Sequence, residues 1–292
     1  MPQTSPNACD THVHVFDPQR FPYQARRAYT PPAASMTELL ALHATLGVER
    51  VVLVQPSVYG TDNACLLNAI ETLGQQRARG VAVVDLDAAT PGTLHRLHDG
   101  GVRGLRLNLH VGGEGLHAAA QQVQQAGRLL KPLGWHLQVH AGLATHAQLL
   151  NEFQNTEIPI VLDHHAGGLT TEPGSEAQLE RLLRAFEHTP LWVKLSAPYR
   201  LAAHVGGTGD TGHAHRLAIA FTQAAPDRVL WGSDWPHTGG TGQRGGGAAS
   251  PQAEAFRAVD NPQVLSDLLA CMPDHAQRHR LLVGNPAQLY GF

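Results

Sequence analysis

Near its start the chain carries two histidines one residue apart, His12 and His14 in A-C-D-T-H-V-H-V. Side chains alternate along a β-strand, so both imidazoles share one face and Val13 and Val15 take the other. Two imidazoles so placed can hold one metal ion together, or clamp one polarised oxygen where no metal is bound. Three later stretches bring the same residue types to the end of an apolar run. W-H-L-Q-V-H-A closes on His140, I-V-L-D-H-H-A-G-G on Asp163, His164 and His165, and R-V-L-W-G-S-D-W-P-H on Asp234. Taken singly, each could bond a loop or cap a turn. As a set they suit hydrolysis. Water is a poor nucleophile, so a carboxylate such as Asp234 takes its proton while imidazoles, or a metal they hold, polarise the carbonyl under attack. Once protonated, the same carboxylate can return the proton to the leaving oxygen.

Arginines indicate the substrate. Arg106 in G-V-R-G-L-R-L-N and Arg200 in S-A-P-Y-R fall at or just after strand ends, where guanidinium groups grip carboxylates in bidentate fashion. An anionic substrate follows, with room for more than one acid group. Arg103 is expected to pair instead with a nearby acidic residue. Q-P-S-V-Y-G-T-D-N supplies Ser57, Tyr59 and Thr61 as further donors, or as the groups that hold their own loop together.

These residues must be brought together by the elements around them. Short apolar runs fall at Cys9–Val15, Arg50–Gln55, Gly80–Asp85, Val102–Asn108, His136–His140, Ile158–Asp163, Leu191–Leu195 and Arg228–Gly232. Helical spacing separates them at Met36–Leu46, with Ser35 as N-cap, then at Asn63–Arg77, Pro91–His98, Ala118–Leu133, Thr145–Phe153, Glu176–His188 and Asp210–Ala224. Eight strands alternating with helices predict one (β/α)8 TIM barrel spanning residues 1–292, with a C-terminal helical tail from Pro251 to Leu282 that ends in N-P-A-Q-L-Y-G-F. In such a barrel the active site lies at the C-terminal mouth, where the histidines and Asp234 would converge. The glycine-rich stretch Thr238–Ser250, which contains Arg244 and follows Asp234 directly, reads as a mobile lid or a plain surface loop.

Composition narrows the classes. A formal net charge of -3 gives no electrostatic reason for a nucleic-acid or anionic-membrane partner, and no apolar run is long enough to span a bilayer. The first residues lack the basic start and apolar stretch of a secretory signal, so a cytoplasmic enzyme is the expectation. Cys9, Cys65 and Cys271 are odd in number and widely spaced, which argues against disulfides and a zinc knot and leaves packing as their use. Of the 19 histidines, His43, His95, His98, His117, His188, His213, His215 and His279 read as surface residues.

The stretches D-T-H-V-H-V-F-D, R-A-Y-T-P, V-Q-P-S-V-Y-G-T-D-N, R-G-L-R-L-N, V-L-D-H-H-A-G, V-K-L-S-A-P-Y-R, W-G-S-D-W-P-H and N-P-A-Q-L-Y-G-F, in this order, resemble the amidohydrolase-related (amidohydrolase 2) lactonases that open 2-pyrone-4,6-dicarboxylate. The resemblance spans nearly the whole chain and implies a barrel that opens a carboxylated lactone by direct attack of water. It implies Asp234 as general base, His12, His14 and His164 around the scissile carbonyl, and Tyr29, Ser57, Arg106 and Arg200 on substrate carboxylates. His140 departs from that pattern: the pyrone lactonases carry tyrosine there and work without metal, whereas metal-dependent relatives carry histidine. The resemblance therefore leaves two cofactor states, none required or one divalent metal, zinc or manganese, on His12, His14, His140 and Asp234. In the first His140 is a substrate-binding residue. In the second His164 becomes an outer partner or proton carrier. Sulfomuconolactone hydrolases and sugar lactonases look similar too. The alternative activity is a metal-dependent decarboxylase of an aromatic or dienoic acid on the same scaffold, and a further one is an inactive barrel that binds a metabolite. Neither the particular lactone nor the oligomeric state is legible.

Overall fold

A computed structural model describes residues 5–109, 115–168, 174–201, 211–239 and 254–292. Eight strands pair in parallel in chain order: β1 (Cys9–Val13), β2 (Arg50–Val54), β3 (Ala78–Ala82), β4 (Val102–Asn108), β5 (His136–His140), β6 (Ile160–Leu162), β7 (Leu191–Ser196) and β8 (Val229–Gly232). The ring closes where β8 runs out against β1. Asp234 N–H donates to His12 O at 2.9 Å, His14 N–H donates to Trp235 O at 2.8 Å, and Val13 bridges Trp235. The (β/α)8 expectation is met.

Helices α1 (Met36–Leu46), α2 (Ala64–Leu73), α3 (Pro91–Asp99), α4 (Leu116–Leu130), α5 (Leu143–Gln148), α6 (Leu150–Thr156), α7 (Ser175–Ala185) and α8 (Thr211–Ala224) lie between the strands, and α9 (Asn261–Ala270), α10 (His275–His279) and α11 (Asn285–Tyr290) follow β8. Ser35 caps α1 with a complete capping box to Glu38. Helix α2 is shorter than its pattern suggests because Gly74 stops it, which frees Ala78 to pair with Val51 and starts β3 two residues earlier than expected. The segment read as one helix over 145–153 is two, broken at Leu149. None of these helices is long and apolar enough to cross a membrane.

The core has two shells. Leu53, Val102, Leu105, Leu137, Ile160, Leu191 and Val229 face outward from the strands and pack under the helices. Inside the barrel, Cys9, Val52, Val54, Val81, Val161, Trp192 and Leu230 form a smaller apolar floor. The chain's last turn plugs that floor from below: Tyr290 is fully buried, its ring edge-on to His136 at 5.2 Å, while Arg79 Nε and Nη2 donate to the Tyr290 and Gly291 carbonyls. A charged residue at this lower end is why the start of β3 does not read as a strand.

Two histidines expected on the surface are buried. His43 reaches Asp10 at 3.3 Å behind β1, and His213 Nε2 donates to Gly168 O at 2.7 Å. Each sits on the inner face of its helix, where a polar tip finds a buried partner that composition cannot show.

Above the floor lies a fully buried Lys194, whose Nζ donates to Thr11 O and Gln138 Oε1, both at 2.7 Å. Burial pushes its ammonium down to about 8 from 10.5. The unfolded chain therefore binds more protons across that window, and stability contributed by this site rises with pH through it. In Lys194→Met the contribution is gone. Chemical denaturation from pH 8 to pH 10.5 is expected to show wild type gaining on the variant, by at most about 1.4 kcal/mol per pH unit. A constant difference would refute the assignment.

Candidate active site

Strand β1 delivers its two histidines through a bulge. The register against β2 shifts between Asp10 and Val13, and Asp10 Oδ1 takes up the amides this leaves, from His12 at 3.2 Å and Ser233 at 2.9 Å. Gly232 lets β8 approach, since a Cβ there would lie 2.6 Å from that of His12. His12 and His14 consequently stand side by side, ring centroids 5.1 Å apart. Asp234, just past β8, is held at φ 62°, and His164, just past β6, at φ 50°.

The four meet around one oxygen. Asp234 Oδ1 lies 3.7 Å from His12 Nε2, 3.8 Å from His14 Nε2 and 3.9 Å from His164 Nε2, with all four residues buried. The carboxylate's other oxygen is spoken for: Oδ2 accepts from Tyr199 Oη at 2.5 Å and from Arg200 Nε and Nη2 at 3.1 and 2.9 Å. Burial works to raise the Asp234 carboxyl, but Arg200 and the ring of imidazoles hold it well below the usual carboxylate range. It is ionised at neutral pH.

The imidazoles are neutral there, and two have their tautomers fixed from behind. His14 Nδ1 lies 2.8 Å from Val54 O, which can only accept, so the proton is on Nδ1 and Nε2 presents a lone pair. Burial lowers its pKa to about 3. His12 Nδ1 faces Asp163 Oδ1 at 3.4 Å, which likewise turns a lone pair on Nε2 toward Asp234. His164 Nδ1 is 2.8 Å from Ser196 Oγ. His12 Nε2 and Asp234 Oδ1 are buried without a hydrogen bond. Lone pairs and carboxylate oxygens thus face one another with no proton between them, an arrangement that asks for a polar guest.

Two overlapping groups of these residues have ligand atoms within 4.8 Å of one another: His12, His14 and Asp234, and His12, Asp163 and His164. Neutral imidazole nitrogen with carboxylate oxygen is a donor set for zinc or manganese. His140, part of the ligand set read from sequence, lies outside both groups. Strand β5 is three places round the barrel from β8, and His164 stands between, its ring edge-on to that of His140 at 5.1 Å.

Both arginines read as substrate-binding have carboxylate partners within the chain. Arg106 Nε and Nη2 bond Asp163 Oδ2 at 3.0 and 2.9 Å in a nearly buried pair. Arg200 pairs with Asp234 yet stays about one-quarter exposed, on the wall of a cavity of about 370 Å³ that His140, Asp163, His164 and Gln178 also line. Arg103, expected to meet an acid, donates to the His98 and Val102 carbonyls instead. Tyr29 and Tyr59 are buried in an apolar cluster with Phe16, where the Tyr59 hydroxyl accepts from Asp17 N–H at 2.9 Å and ties the turn after β2 to the segment after β1. Ser57 is half-buried at the start of a single turn after β2. Of the glycine-rich stretch, Gly240 to Ser250, with Arg244, lies outside the described residues.

Sequence reasoning missed Tyr199 and gave Asp163 no role. The first adjoins Arg200, but nothing in S-A-P-Y-R says that one turn (Pro198–Leu201) sends both side chains to Asp234. It also missed the backbone after β6, where His164, His165, Ala166 and Gly167 are all left-handed, at φ 50°, 54°, 56° and 63°. Each non-glycine residue so held costs about 1–2 kcal/mol, so such a run persists only where its surroundings fix it.

The chain is similar to known proteins along nearly its whole length. Residues 9–292 match the amidohydrolase family model. The chain is 33% identical over 288 residues to 4-sulfomuconolactone hydrolase of Rhizobium radiobacter, covering 97% of this chain and 90% of that one. It is 33% identical over 292 residues to 2-pyrone-4,6-dicarboxylate hydrolase of Comamonas testosteroni, with the same coverage. A crystal structure of a probable 2-pyrone-4,6-dicarboxylic acid hydrolase from Acinetobacter baumannii with citric acid bound superposes with a TM-score of 0.78 at 26% identity, over 98% of this chain and all of that one.

Proposed function

The chain belongs to the amidohydrolase family, and from that premise we propose that it hydrolyses a small carboxylated lactone, opening the ring by attack of water. One observation carries the reading: the Asp234 carboxylate is divided between an anchored Oδ2 and a bare Oδ1 turned toward three imidazoles. Oδ1 takes a proton from water as its oxygen bonds the lactone carbonyl carbon. The bond from that carbon to the ring oxygen then breaks, and the proton passes from Oδ1 to the departing oxygen, leaving a hydroxyl group and a carboxylic acid that releases its proton to solvent as a carboxylate. Arg200 and Tyr199 keep the carboxylate oriented throughout.

The fixed tautomers bear on how the carbonyl is polarised. A clamp of N–H donors on the oxygen is not open to His14, whose proton is committed to Val54 O, nor to His12 while Asp163 holds its Nδ1–H. These nitrogens are electron-pair donors, and with Asp234 Oδ1 they fit a divalent zinc or manganese ion as His12, His14 and Asp234. Such an ion, when bound, supplies Lewis-acid polarisation and a more acidic water. His164, turned to the same oxygen, is placed to relay or orient a proton.

The substrate's acid group is assigned to the cavity wall, where Arg200 keeps an exposed edge. The relative with citric acid bound supports an anionic ligand for this scaffold. A panel of carboxylated lactones, followed by loss of ring absorbance with and without chelator, tests the reading. Opening of at least one lactone, lost on chelation and restored by zinc or manganese, is the expected result. Release of carbon dioxide from an aromatic or dienoic acid with no lactone opened would replace it by the decarboxylase alternative.

A further inference from the structure

The left-handed run His164–Gly167 is what turns the His164 ring toward Asp234, and its supports come from outside the barrel mouth. His146 Nδ1 on α5 lies 2.9 Å from Ala166 O, and His213 Nε2 on α8 lies 2.7 Å from Gly168 O. A carbonyl only accepts, so in each case the imidazole donates and its tautomer is set. Within the run, His165 Nδ1 donates to Ser196 O at 3.1 Å. Gly167 completes it, because a Cβ there would lie 2.4 Å from Ala141 O. Backbone bonds inside the segment, Gly167 N–H to His164 O and Gly168 N–H to His165 O, close only single tight turns. Three L-residues in succession do not stay left-handed on that account. The side chains gripping the carbonyls from α5 and α8 make up the difference, and both are buried.

We propose that His146 and His213 are positioning residues: by holding the carbonyls of Ala166 and Gly168 they keep the run left-handed and so keep the His164 imidazole on Asp234 Oδ1. Both act through His164. The proposal rests on the hydrolytic reading for its kinetic consequence but not for its structural one.

The test uses donor-lacking variants, His146→Leu and His213→Leu, beside variants that keep an N–H near the original position, His146→Asn for Nδ1 and His213→Gln for Nε2. In folded protein the donor-lacking variants are expected to lower kcat about tenfold with KM within about twofold, and the donor-keeping ones to recover most of the loss. In a His164→Asn background the same Leu substitutions are expected to cost nothing further, since their effect runs through that ring. Long-range 1H–15N spectra of the His164 imidazole give an activity-free readout: its resonances shift in the Leu variants and return in the Asn and Gln variants. Unshifted His164 resonances in folded His146→Leu and His213→Leu overturn the proposal, as does an undiminished kcat loss in the His164→Asn background. Should the protein open no lactone, the hydrolytic reading fails while the ring spectra still decide the clamp.

Discussion

Replacing Asp234 by asparagine lowers kcat at least about a hundredfold and leaves the barrel folded, the size expected for loss of a general base. The isosteric amide keeps an oxygen for Tyr199 Oη and Arg200 to bond, and Arg200, about one-quarter exposed, turns its unpaired charge toward solvent. What disappears is the bare anionic Oδ1 facing His12, His14 and His164. The measurement is steady-state turnover of the best lactone beside circular dichroism and a melting curve. Wild-type turnover in a folded Asp234→Asn protein would remove Asp234 from its role as base. The acid side of the wild-type profile should also lie low, because the folded carboxyl is held well below the usual range and stays ionised through mild acid. A fall in kcat/KM centred near neutrality would point instead to a histidine.

Much of the frame was open to reading because β4 and β5 end where their apolar alternation ends, at Asn108 and His140, and because the spacing of two in H-V-H places both rings inside the barrel whatever the loops do. That His12, His14, His164 and Asp234 belong to one barrel mouth follows from strand ends, while the turn of the His164 ring toward Asp234 depends on backbone that the strand pattern does not show. What escaped are pairings made across long stretches of chain. Arg106 and Asp163 are 57 residues apart and belong to strands that are not neighbours, so nothing local marks one as the other's counter-ion. A reader who knows that guanidinium groups bind carboxylates, but not which carboxylate, assigns Arg106 to the substrate. The left-handed run escaped for another reason. A G-G pair forecasts one residue of positive φ, whereas His165 and Ala166 adopt it where imidazoles on two remote helices hold the carbonyls of Ala166 and Gly168, a tertiary effect that overrides local preference.

The buried Arg106–Asp163 pair gives the largest expected change in stability. Asp163 is fully buried; Oδ2 carries both guanidinium bonds and Oδ1 faces His12 Nδ1. In Asp163→Asn the guanidinium stays buried, 7% exposed, with no counter-charge, and Lys194 loses a nearby anion as well. Breaking a pair of this kind costs about 3–5 kcal/mol, read as a lower urea midpoint at neutral pH. The pH dependence has a fixed sign. Burial opposes ionisation of Asp163, but Arg106 and His12 hold its folded carboxyl well below the ordinary value, so the stabilisation is complete above the unfolded carboxylate pKa of about 3.9 and fades as pH falls through the folded one. Wild type and variant should therefore differ by a constant amount from neutral pH to about pH 5 and converge only in stronger acid. Turnover separates the two jobs of the carboxylate. The double variant Arg106→Met, Asp163→Asn carries no stranded charge and should regain most of the lost stability, yet it cannot restore the carboxylate behind His12, so kcat stays down by about tenfold or more. Recovery of wild-type kcat in that double variant would show that Asp163 serves only to neutralise Arg106 and leaves the His12 tautomer to something else.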